Sequence, residues 1–320
     1  MLKPPSVKHF AEYPLTVSVS LAALAVTGAW WSGWNIEQIA TTDEVWEKWQ
    51  LWRALTSTLP HADVFHLAFN LYWFWTFGTL VEKVYGHVKF AAIILLLALG
   101  SSLAEFALLE GGVGLSGVGY GLWSMLWLLE KRDPRFRDAV DSKTTMTFVV
   151  WFFLCVALTV TNAMPIANIA HAVGAGLGVL VGLAASSNGL SRARSIAAIG
   201  AVILFWIAAS TSFWPWINLS PYAQSTVERA GVEALLKSQN QRAVKLLETA
   251  SKMRHAPAHA WYNLGIAYQH LERYSDASAA YQRAATMTDA TPDIRAAAKD
   301  FQDWQKDYLQ WLALAVTNSK

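Results

Sequence analysis

Four polar side chains stand near the starts of otherwise apolar stretches of this sequence: His66, Asn70, Ser116 and His171. A hydroxyl and an imidazole can together generate an oxygen nucleophile, with a ring nitrogen as general base, if Oγ comes within about 2.6–3.2 Å of it. Taken singly, a histidine in an apolar helix is more often a packing residue, and a serine beside glycine usually only lets helices approach. Four such residues at one depth reverse that preference, because polar groups in hydrocarbon are costly and mark function. Gly174, Gly178 and Gly182 share a helix face with His171, and Gly117 and Gly121 stand beside Ser116 in the same way. Short side chains on both helices are what a Ser116–His171 contact requires.

Those residues need membrane helices to hold them. The chain has 320 residues, 54% hydrophobic and 15% charged, with 17 Trp and a mean hydropathy of +0.27. Charge is well below the roughly 25% of soluble domains, which excludes disorder, a coiled coil and an ordinary cytosolic enzyme. A net charge of +2 is too small to indicate nucleic-acid binding. The lone Cys155 excludes an intrachain disulfide framework and a multi-thiolate metal site, and its mid-span place reads as buried packing.

Seven apolar stretches are read as crossings of a bilayer about 30 Å thick: Leu15–Trp34, Phe65–Leu80, Phe90–Leu109, Ser116–Leu129, Met146–Thr161, Ala167–Ala185 and Ser195–Phe213. The N-terminus shows no signal-peptide pattern, so the first stretch is expected to be a retained span. Lys and Arg near span ends stay cytoplasmic. Lys3, Lys8, Lys83, Lys89, the cluster from Lys131 to Lys143, Arg192 and Arg194 fall in one set of segments, against Lys48 and Arg53 in the other. The N-terminus is therefore expected in the cytoplasm and, after seven crossings, the C-terminal part outside. Phe213-Trp214-Pro215-Trp216 suits an outer aromatic belt. Even-numbered spans then run inward, which sets His66, Asn70, Ser116 and His171 about one to two turns of roughly 5.4 Å below the outer surface. Nothing in the charge distribution requires that agreement.

Between the first two spans, Thr41 and Glu44 have capping-box spacing, and Trp46, Trp49 and Trp52 recur every third residue. The pattern predicts a short helix in the outer interface with its aromatic face in lipid. After Pro221 the chain turns charged and Ala-rich, and a repeat appears: Gly231, Ala243, Leu247 and Ala250 return 34 residues later as Gly265, Ala277, Tyr281 and Ala284. The second copy, with Trp261, Leu264, Gly265 and Tyr268, looks like a tetratricopeptide repeat, while the first lacks the Trp and Tyr. A further helix over Asp293–Val316 is expected to cover the exposed apolar face.

Three segments in this order resemble the signatures of rhomboid intramembrane serine proteases: His61, His66 and Asn70; Gly114-Leu115-Ser116-Gly117; and Ala170-His171 with Gly174 and Gly178. Trp52-Arg53 sits where that family has its Trp-Arg pair, and the likeness covers about residues 15–190. The resemblance implies Ser116 as nucleophile, His171 as general base, and His66 and Asn70 with the Ser116 backbone N–H as oxyanion donors. It gives Tyr120 as the ring that packs on the base, with Gly114 and Gly117 as accessory positions. The spans are read as offering no Asp or Glu near His171, so packing on Tyr120 must orient the ring; Asn168 either assists or only begins the helix. Hydrolysis needs water, so the pair should face a polar recess open to the outer side. The implied substrate is a membrane protein whose helix unwinds near its outer end. Val173 replaces a glycine frequent in the family, and the seventh span and the repeats exceed its six-span core.

Gly112, Gly114 and Gly117 match the dinucleotide fingerprint by letter, but no strand precedes them and no acidic residue follows at the needed distance. Val118 breaks a Gly-x-Ser-x-Gly elbow. His61 and His66 have no carboxylate or thiolate partner at ligand spacing, and His61 is expected to line the outer loop or cavity. The reading is an all-α polytopic helix bundle over 1–190, a seventh span and linker over 191–222, and a soluble helical repeat domain over 223–320. It needs no cofactor or metal. Its partners are membrane-protein substrates, the lipid bilayer and a protein or peptide bound by the repeats, in a bacterial plasma membrane. The rival reading is a catalytically silent membrane adaptor whose repeats carry the function, against which stands the presence of both Ser116 and His171.

Overall fold

A computed structural model of the chain describes residues 7–318, with side chains from Phe10 to Trp311. Lys3 and the side chain of Lys8, used above for orientation, lie outside the described residues, as do the side chains of 312–316 in the expected last helix. Among the described residues the fold is entirely helical, and it divides into two compact units at Asn218 and Leu219.

The first unit contains α1 (Pro14–Trp31), α2 (Glu44–Lys48), α3 (Arg53–Thr56), α4 (Val64–Tyr85), α5 (His87–Leu108), α6 (Ser116–Leu129), α7 (Ser142–Val160), α8 (Asn168–Ser186), α9 (Gly189–Ser210) and α10 (Trp214–Ile217). By length and apolar composition α1, α5, α7, α8 and α9 can each cross a membrane, as befits an integral membrane protein. α4 carries His66, Asn70, Glu82 and Lys83 among its apolar residues. α6 has 14 residues, a rise of about 21 Å, shorter than the roughly 30 Å of hydrocarbon.

Position in the bundle follows from which residues are small. α6 is the central helix, buried from Gly117 through Leu122 and again at Ser124–Leu126 and Leu129. α8 lays its glycine face along it, and α5 flanks both. Phe74, Phe77, Phe90, Leu97, Leu126 and Met125 fill the core around them. α1 and α7 are peripheral, each burying three residues. Gly86, at φ 77°, turns the chain from α4 straight into α5, a conformation that glycine adopts without Cβ strain. α1 has no side-chain cap of its own at Tyr13. Buried Glu82 of α4 supplies one, accepting the N–H groups of Leu15 and Thr16 at 2.9 Å each and the Thr16 hydroxyl at 2.7 Å.

α9 runs alongside α5 in the same direction. Ile203 abuts Gly100, the Ser210 hydroxyl donates to the Leu103 carbonyl at 2.9 Å, and Trp214 Nε1 donates to the Phe106 carbonyl at 2.9 Å. Asn218 adds donors to the Phe106, Ala107 and Leu109 carbonyls, the acceptors left open at the end of α5.

The segment before the second long helix departs from the expected interfacial helix. α2 is only five residues long and starts after Asp43 rather than at Thr41, which is buried against Gly111. Trp49 takes a left-handed conformation (φ 57°) and ends it, so the three tryptophans do not share a face. Trp46 is buried, stacked on Trp214 at 5.4 Å, while Trp49 and Trp52 remain 58% and 46% exposed. A three-residue period gives one face only while the backbone stays helical, and here it does not.

The second unit contains α11 (Ala223–Leu236), α12 (Asn240–Lys252), α13 (Ala258–Gln269), α14 (Tyr274–Thr286) and α15 (Pro292–Asn318). α11–α12 and α13–α14 are helical hairpins that repeat the same close approach: Gly231 against Leu247, and Gly265 against Tyr281. Phe301 and Ala298 of α15 then close over Tyr281 and Ala277.

Candidate active site

Ser116 is the first residue of α6, and the loop before it is tied down at two points. The Gly114 N–H donates to the Ser57 carbonyl at 3.1 Å, and the Leu115 N–H donates to His61 Nε2 at 3.2 Å. With Nε2 accepting, His61 Nδ1 carries the proton and donates to the Leu59 carbonyl at 2.9 Å. Thr27 and Trp31 of α1 hold the His61 backbone, at 3.1 Å each. His61 is thus a fully buried strut and does not line an outer loop or cavity as its sequence position suggested. Gly114 has φ 109°, and a Cβ there would lie 2.7 Å from the His66 ring. Only glycine therefore lets His66 stand against the strand of loop that feeds into Ser116.

His171 sits in the first turn of α8, where His171 Nε2 and Ser116 Oγ are 2.8 Å apart. Gly174, one turn along, meets the Gly117 backbone, and Gly178 meets that of Gly121, which is what allows two short side chains to touch. The ring of Tyr120 stacks on that of His171 with centroids 4.6 Å apart and planes at 24°. Tyr120 is itself fixed, donating its hydroxyl to the Phe148 carbonyl at 3.1 Å. His171 Nδ1 has no hydrogen-bond partner among the described residues, so ring packing sets the imidazole plane.

The spans do carry an acidic residue close by, contrary to the sequence reading. Glu105 of α5 is 3% exposed and accepts the backbone N–H of Ala170 at 2.9 Å. It reaches the backbone beside His171 and not the ring. Its signal in the sequence was a single Glu near the end of an apolar run. With Ser101, Ser102, Gly112, Gly117 and Ala170 it lines a recess that Ser116 also faces.

Asn70 is buried one turn below His66 and donates from Nδ2 to the His66 carbonyl at 2.8 Å. His66 packs edge-on against His61 with centroids 4.9 Å apart. These contacts bring His66 to Gly114, two residues before Ser116, and Asn70 to the backbone of His66. Asn168 opens α8, and its amide is spent on Thr159 Oγ1 at 2.7 Å, so it does not act on the imidazole. Arg53 is buried, donating to the Glu37 and Ala40 carbonyls and to Gln50, and so braces the segment before α4.

Chemically, a serine hydroxyl hydrogen-bonded to an imidazole, at a helix N-terminus whose first N–H groups lack intrahelical acceptors, has the parts needed for acyl transfer. Residues 48–188 match the rhomboid domain family. Two curated relatives are similar to part of the chain. The rhomboid protease GlpG of Pectobacterium atrosepticum is 33% identical over 179 residues, 52% of this chain and 61% of that protein. The rhomboid protease GlpG of an Enterobacter species is 32% identical over 151 residues, 45% of this chain and 52% of that protein. The chain thus spans between about half and three-fifths of the length of these relatives. The matched region contains Ser116, His171, His66, Asn70 and Tyr120 and ends before α9.

Proposed function

We propose that the chain is an intramembrane serine endopeptidase that cleaves transmembrane substrates near the outer face of a bacterial plasma membrane. The observation that carries this reading is the 2.8 Å contact between His171 Nε2 and Ser116 Oγ, held between apolar helices in a region matching the rhomboid domain. His171 takes the hydroxyl proton as Ser116 Oγ attacks the scissile carbonyl, and the tetrahedral oxyanion is met by the Ser116 backbone N–H with the side chains of His66 and Asn70. As the C–N bond breaks, His171 returns the proton to the departing amine. A water, deprotonated by the same ring, then releases the acyl group. Tyr120 keeps the imidazole plane fixed throughout, and Gly114 and Gly117 leave room for the reacting groups.

The N-terminus is cytoplasmic and the helical hairpins after Asn218 are extracytoplasmic in this reading. Support comes from the Lys and Arg residues clustered between spans and from the parallel course of α5 and α9, the direction that an additional crossing after a six-helix core would take. The hairpins are of tetratricopeptide type and bind a protein or peptide partner, recruiting or sorting substrates.

Full-length protein in proteoliposomes, treated with a fluorophosphonate, tests the assignment. Label on Ser116, lost in Ser116→Ala together with cleavage of a reporter transmembrane helix, is the expected result. A folded wild-type chain that takes no label and cleaves nothing would instead indicate a membrane adaptor.

A further inference from the structure

α8 carries the proposed base in its first turn, yet it begins without a cap of its own. The residue before it, Ala167, has no side chain to accept a hydrogen bond, and the amide of Asn168 is turned toward Thr159. The opening N–H groups of a helix have no intrahelical acceptors. Buried and unmatched, such a group is costly, which favours unwinding the turn. The acceptor comes from another helix: Glu105 takes the N–H group of Ala170, the residue before His171, at 2.9 Å.

Resting on the assignment of Ser116 and His171 as the reacting pair, we propose that Glu105 is a positioning residue that clamps the first turn of α8 and sets the height and rotation at which His171 meets Ser116. Below His171 the helix is fixed by the Gly174–Gly117 backbone contact, and the imidazole plane is fixed by Tyr120. Neither contact reaches the turn above, where the His171 N–H closes its own bond to the Ala167 carbonyl at a long 3.3 Å. Without the carboxylate that turn is free to fray, and a residue leaving a helix shifts by ångströms. The hydrogen-bond window is far narrower, and a misplacement of about 1 Å can cost on the order of 10²-fold in rate. Glu105 is not a third member of a triad, because its contact is to a backbone N–H group and not to the imidazole.

Glu82 makes the comparison possible. It caps α1 by the same chemistry, accepting two backbone N–H groups in the first turn, but α1 carries no reacting group. Full-length Glu105→Ala, Glu105→Gln and Glu82→Ala would be assayed in proteoliposomes for kcat, KM, fluorophosphonate labelling rate and thermal unfolding. Glu105→Ala should lower kcat by about 10–100-fold with KM within about twofold, and slow labelling in parallel. Glu105→Gln, which keeps a carbonyl acceptor, should recover to within about fivefold of wild type. Glu82→Ala should lower the unfolding temperature while leaving kcat of the folded protein within about twofold. If Glu105→Ala does not fold, Glu105→Asp carries the test, since it withdraws the acceptor by one methylene and should lower kcat at constant KM. Wild-type kcat in the folded Ala or Asp variant, or an equal kcat loss in Glu82→Ala, overturns the inference. Labelled wild type with unaffected Glu105 variants removes this inference alone, whereas unlabelled wild type removes the Ser116–His171 reading beneath it.

Discussion

Gly174 in α8 stands so close to the backbone carbonyl of Gly117 in α6 that a methyl group has no space between them. The Ser116–His171 distance is therefore set by two backbones in contact. Gly174→Ala should force the helices apart, costing about 1–3 kcal/mol in stability and abolishing fluorophosphonate labelling. Gly176, two residues on, faces open space, and Gly176→Ala should leave labelling and unfolding temperature nearly unchanged. Equal behaviour of the two variants would show that the glycine contact does not set the site.

His66 and Asn70 are expected to act on the oxyanion and not on substrate binding. His66→Ala and Asn70→Ala should each lower kcat by about 10²–10³-fold with little change in KM. A rise in KM at constant kcat would make them binding residues instead.

Tyr120 makes two separable contacts, a ring stack on His171 and a hydrogen bond to the Phe148 carbonyl. Tyr120→Phe keeps the first and loses the second, so unfolding should become easier by about 1 kcal/mol while kcat falls less than tenfold. Tyr120→Ala removes the stack and should reduce kcat by at least about tenfold. A larger kcat loss in the Phe variant would assign the work to the hydroxyl.

A reporter fused after Lys320 should be active only if it requires the extracytoplasmic side. Activity of a cytosol-dependent reporter at that position would remove the outward placement of the hairpins and leave the Ser116–His171 pair untouched.

Much of the candidate site was legible because membrane context makes polar residues rare and therefore informative. Ser116 and His171 stood out against apolar neighbours, and their glycines declared a close helix pair before any coordinates. Glu105 was missed for a physical reason: its partner is a backbone N–H group, which nearly every residue carries and no sequence pattern advertises. The missing cap at Ala167 was the available clue. His61 was misplaced because a histidine between two spans looks solvent-facing, whereas its two ring nitrogens bridge two stretches of backbone. Trp46 was misread because periodicity cannot report the left-handed residue at Trp49 that interrupts it. In the second unit the repeat spacing translated directly, since Gly231 and Gly265 make equivalent contacts with Leu247 and Tyr281.

α1 and α8 each borrow the acceptor for their opening turn from a residue far along the chain, 66 and 65 positions away. α1 waits for Glu82, which is made after it, whereas α8 finds Glu105 already made and has only to dock against α5. If Glu105 positions His171 as proposed, the chain before that docking would hold both its hydroxyl and its imidazole while still chemically idle. Competence would arrive only with assembly, so a nascent or misassembled copy would carry the reagents without the means to damage its neighbours.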